Sequence, residues 1–89
     1  MEPNQPSLLK FPCRFPIKAM GRTNSALVQQ VEELVRRHVP NLKTGDISTR
    51  PSTRGNYVAI TITITATSRE QLDAIYLDLN SHENIVMTL

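Results

Sequence analysis

The chain predicts an α+β fold with elements in the order βαββαβ, and three observations carry that prediction. Over residues 57–66 an apolar residue stands at every second position, with three threonines between, a near-perfect period of two that marks a half-buried strand. Leu72, Ile75, Tyr76 and Leu79 recur at helical spacing behind Ser68-Arg69-Glu70-Gln71, a capping-box pattern. Leu27, Val28, Val31, Leu34 and Val35 form a second helical stripe, stopped by Pro40.

The elements follow in order. Residues 1–10 carry two prolines and several polar groups and read as a flexible lead-in, leaving residues 11–89 as one domain. Residues 14–20 alternate, with Phe15, Ile17 and Ala19 on one side and Pro16, Lys18 and Met20 on the other. Gly21 ends this first strand. Pro12 and Pro16 would each remove a ladder donor, so the strand starts late or has one side free there. A helix is predicted over residues 24–38, with Thr23, Asn24 or Ser25 able to cap it and Arg36, Arg37 and His38 at its negative end.

Residues 46–51 predict a weaker strand with Ile47 inward, and Pro51 places it at a sheet edge. Ser52-Thr53-Arg54-Gly55-Asn56 is a turn, with Gly55 free to take positive φ. In the long strand that follows, Val58, Ile60, Ile62, Ile64 and Ala66 share one face; Tyr57, Ala59, Thr61, Thr63 and Thr65 share the other. Residues 84–89 close the chain as a strand, with Ile85, Met87 and Leu89 on one side and Val86 and Thr88 on the other. Two strand–helix–strand units joined through a hairpin define a ferredoxin-like fold. Right-handed crossovers then place four antiparallel strands in the order 4-1-3-2, with both helices on one face.

Two stretches resemble a known family. Phe11-Pro12-Cys13-Arg14-Phe15-Pro16-Ile17-Lys18-Ala19-Met20-Gly21 is similar to the opening motif of the YbeD-like family of small bacterial proteins. Arg50-Pro51-Ser52-Thr53-Arg54-Gly55-Asn56-Tyr57 resembles its central motif, and residues 68–76 and 85–89 its last helix and strand. The resemblance implies a ferredoxin-like fold similar to ACT regulatory domains, no established activity, and a contextual association with lipoate-synthesis genes.

Composition narrows the function classes. The net charge is +2, but nine of the ten cations and four of the eight acids lie within the first 54 residues. Such asymmetry can mark a face that attracts anions. Leu8 and Leu9 are the one apolar pair near the start and no basic leader precedes them, so no signal peptide is expected. One cysteine, Cys13, cannot form an internal disulfide, which suits a reducing cytoplasm. The longest run of β-formers is too short and too polar to span a bilayer, so no membrane partner is expected.

Catalytic chemistry finds no constellation. Cys13 has no resolving partner, and Ser52 lacks a nucleophile-elbow frame. His38 and His82 belong to no ligand pattern, so neither a metal nor a cofactor is expected. Two sites remain as expectations for a non-enzymatic regulatory or adaptor domain. Arg50, Arg54, Gly55 and Asn56 on the hairpin would hold a small anionic metabolite. The open face carrying Tyr57, Thr61, Thr63 and Thr65, or the edge of the last strand, would meet a partner protein or a second copy. One outward aromatic ring argues against nucleic acid, because this topology reads RNA by stacking on several.

Overall fold

A computed structural model describes residues 9–24 and 26–89. The strand β1 spans Cys13–Arg22, helix α1 Leu27–Arg36, strand β2 Ile47–Pro51, strand β3 Tyr57–Ala66, helix α2 Arg69–Asn80 and strand β4 Ile85–Thr88. The sheet order is β2-β3-β1-β4, all neighbours antiparallel, as right-handed crossovers predict. Residues 1–8 of the expected lead-in, and Ser25 as a candidate cap, lie outside the described residues. Leu9 and Phe11 already pack against the core.

The core forms where the apolar stripes of α1 and α2 meet the isoleucine face of the sheet. Ile17, Ile60, Ile62 and Ile64 are about as buried as Leu27, Val35, Ile75 and Leu79 above them. Register builds this layer. Ile17 pairs with Ile62, and Ile62 with Ile47 on the other side, so inward residues form rows across the strands. Pro51 sits on the edge strand β2. Pro16 pairs only toward β3, because β4 meets β1 no earlier than Ala19, so its missing N–H costs no ladder bond there.

Helix α2 starts on a side-chain cap. The Ser68 hydroxyl accepts from the Gln71 N–H at 3.0 Å. The return bond shifts by one residue: Gln71 Oε1 accepts from the Thr67 N–H at 2.8 Å, while its amide donates to the His38 carbonyl at 3.1 Å. One glutamine thereby fastens the start of α2 to the end of α1. Asn24 Oδ1 accepts from the Ala26 N–H, and α1 itself is shorter than residues 24–38.

The last strand departs from its sequence pattern. Met20 pairs with Met87, but Gly21 pairs with Ile85, so Val86 is bulged out between them. Every residue beyond the bulge changes side. Thr88 lies opposite Ala19 and donates to Asn80 Oδ1 of α2 at 3.1 Å, on the helix side. Met87 and Leu89 therefore share the face of Met20 and Lys18, not the side of Ile85 that simple alternation assigns.

Candidate interaction face

The four strands contain four charged residues, all cationic: Arg14, Lys18 and Arg22 on β1 and Arg50 on β2. Register places all four away from the helices. Arg14 lies beside Thr65, Lys18 beside Thr61, Arg22 beside Tyr57 and Arg50 beside Ala59. The cations on β1 recur every fourth residue, so they stand about 13 Å apart along the strand. Arg14 is already engaged, donating to Asp46 Oδ1 at 2.9 Å and Thr65 Oγ1 at 3.1 Å. Among the described residues, Lys18, Arg22 and Arg50 have no ion-pair partner.

An apolar row crosses the same face. Arg50, Ala59, Met20 and Met87 stand opposite one another in sequence across the four strands. The small methyl of Ala59 leaves a depression there. One hollow, about 290 Å³, is lined by Met20, Arg50, Pro51, Ser52, Thr53, Tyr57 and Ala59. A smaller one of about 80 Å³ lies among Lys18, Met20, Ala59, Thr61, Met87 and Leu89. They share Met20 and Ala59 and so adjoin in one shallow grooved region of the face, Arg50 lining the first hollow and Lys18 the second. Met87 is half exposed and Leu89 is 74% exposed. A third hollow of about 360 Å³ lies at the far end, beneath Val39, Leu42 and the Arg14–Asp46 pair.

The hairpin residues divide. Gly55 takes φ +77°, and its N–H donates to the Ser52 carbonyl at 3.0 Å. The Gly55 and Asn56 carbonyls accept from the Thr23 hydroxyl and N–H at 2.6 and 2.9 Å, which tethers the turn to the end of β1. Gly55 and Asn56 thus serve the turn, and Arg54 is exposed at its tip, off the larger hollow. Of the four residues expected to hold an anion, Arg50 alone lines that hollow, together with Tyr57 of the expected interaction face. Thr61 lines the smaller hollow, Thr63 stands half-buried beside Pro16, and Thr65 is held by Arg14.

Sequence reasoning did not assemble the cations with this face, although Arg14, Lys18 and Arg22 share the parity of Met20. Met87 and Leu89 were beyond its reach, because the bulge that turns them outward leaves no mark in the apolar pattern. Among the described residues, no group of three or more His, Cys, Asp and Glu is arranged to hold a metal ion. No helix among them is long and apolar enough to cross a membrane.

Fold and face together define a small ferredoxin-like domain with one covered and one open sheet surface. The chain belongs to the DUF493 family, described as proteins of unknown function, whose model matches residues 6–89. It is 45% identical over 89 residues to a UPF0250 protein of Chromobacterium violaceum, covering 100% of both chains. It is 44% identical over 86 residues to one of Neisseria gonorrhoeae, covering 97% of this chain and 94% of the relative. These relatives bear out the resemblance to YbeD-like proteins. The solution structure of protein HP0495 from H. pylori shares the fold, with a TM-score of 0.75, 13% identity, and coverage of 91% of this chain and 85% of that one.

Proposed function

We propose that this chain is a cytoplasmic, non-catalytic adaptor or regulatory domain that works by presenting its open sheet face to a partner protein. One observation carries the reading: every strand-borne charge is cationic and faces outward, around an apolar groove that neither helix covers. Exposed apolar surface rimmed by polar residues is the pattern of a contact surface. The pattern favours a different partner over a second copy, since two such faces brought together would oppose like charges. It also favours the face over the edge of β4, which has four residues and a bulge and so makes a short, twisted template.

Site-specific photocrosslinking in cells tests this reading. A benzophenone amino acid at Tyr57 or Thr63 is expected to yield a protein adduct of defined mass, and the same group at Glu33, on the helix layer, none. Equal yields from both sides, or none from the sheet, would refute it.

The hollow beside Arg50 supports a second reading, a small anionic metabolite bound there. A ligand at 100 times its dissociation constant would add about 2.7 kcal/mol, a large shift in the melting temperature of so small a domain. The lipoate association implied by the family resemblance puts lipoyl and acyl compounds first in such a screen. A flat screen removes this reading and leaves the protein partner.

A further inference from the structure

We propose that the open sheet face receives an acidic protein segment bearing an aliphatic anchor. The anchor sits in the groove of Met20, Ala59, Met87 and Leu89, and flanking carboxylates meet Lys18, Arg22 and Arg50. This inference rests on the reading of the face as an interaction surface and names the chemistry of its partner.

The charge pattern selects the sign. Lys18 and Arg22 flank Met20 along β1, beside Thr61 and Tyr57, and Arg50 stands across the sheet beyond Ala59. With no Asp or Glu on the four strands, and with Asp46 occupied by Arg14, no acidic side chain of this face compensates these three cations. Opposite charge on the partner restores the balance, and such complementarity sets orientation and speeds encounter.

The groove selects the class of polyanion. A single-stranded nucleic acid needs aromatic platforms for its bases, and Tyr57 is the one aromatic residue that register puts on this face. The floor is instead the Ala59 methyl followed by two methionines, Met20 and Met87, flexible and polarisable side chains that mould around branched aliphatic groups. The hollow among them, about 80 Å³, matches the scale of one aliphatic side chain and not of a stacked base. An acidic segment carrying leucine or isoleucine therefore uses both properties of the face at once.

The test is a titration of the purified chain, followed by NMR amide shifts, with a synthetic peptide alternating Glu-Glu and Leu. Shifts are expected at Lys18, Met20, Ala59, Thr61 and Met87, and to weaken as salt is raised. The peptide with Lys in place of Glu is expected not to bind, and the one with Ser in place of Leu to bind more weakly. The exposed pair K18E and R50E, checked for an unchanged melting temperature, should each reduce affinity about tenfold.

No shifts at millimolar peptide, shifts confined to the helix layer, or equal binding of oligouridylate would overturn the proposal. Concentration-dependent shifts of the same residues without peptide would assign the face to a second copy and overturn it too. Crosslinked adducts at Tyr57 and Thr63 without peptide binding would reject the acidic partner while sparing the interaction face. Loss of both would reject both.

Discussion

Gly21 is where the two faces of the sheet depend on one contact, and Gly21→Ala is the most demanding perturbation of this account. A methyl group there would stand 2.6 Å from the Asn84 carbonyl oxygen and 2.8 Å from Leu27 Cδ2. The leucine can rotate, but the carbonyl cannot, because it is backbone and already accepts the Arg22 N–H at 3.0 Å. Relief requires the entrance of β4 to move outward by several tenths of an ångström. Overpacking of this kind costs about 1–3 kcal/mol. Weakening the Arg22–Asn84 bond adds about 1 kcal/mol. Against this, alanine narrows the unfolded ensemble and returns about 0.4–1 kcal/mol. The balance is a net loss of about 2–3 kcal/mol, or roughly 10–20 °C in melting temperature for a domain of this size. Urea unfolding should show a lower midpoint with an unchanged slope. A midpoint at or above that of the unsubstituted chain would refute the placement of Asn84 against β1, and with it the bulge that turns Met87 and Leu89 outward.

Two further predictions concern the same region. Partial burial pushes the Tyr76 phenol above its ordinary value near 10, while its hydroxyl donates to the Leu89 carbonyl at 2.8 Å. The folded state therefore holds this proton more tightly than the unfolded one. Its contribution is complete below pH 10 and is lost as the pH climbs through the raised value; in Tyr76→Phe, urea melts against pH should lack that alkaline loss. Gly55→Ala, at φ +77°, should cost about 1–2 kcal/mol of stability by urea unfolding while leaving crosslinking through Thr63 intact, since Gly55 shapes the turn and not the groove.

Much of the fold was legible in the sequence because local signals and packing agree. The alternation of β3 ran from Tyr57 to Ala66 as read, and the Ser68 cap opened α2 at Arg69. Sheet order followed from chain connectivity and handedness. The face of β4 was not legible. Ile85 opens the strand on its expected side, but Val86 is displaced by a register shift that belongs to the pairing with β1, not to either strand alone. The candidate site was half legible for the same reason. Tyr57 and Thr61 were placed by β3 itself, whereas joining Arg50 to Met20 and Met87 needed the register of three strand pairs. Gly55 and Asn56 suited an anion-holding turn by residue type; the tie of their carbonyls to Thr23, 32 residues before Gly55, belongs to the fold and leaves no local mark in the sequence.

Ala59→Arg is the substitution that separates a docking face from an idle one. Ala59 joins the two hollows and its side chain points away from the core, so an arginine there fills the groove; standing half-buried opposite Arg50, it should cost up to about 1 kcal/mol. Photocrosslinking through Thr63, compared with and without this substitution, gives the answer. A cooperative melt with loss of the adduct is expected; an adduct at undiminished yield on the folded variant would contradict docking on this face.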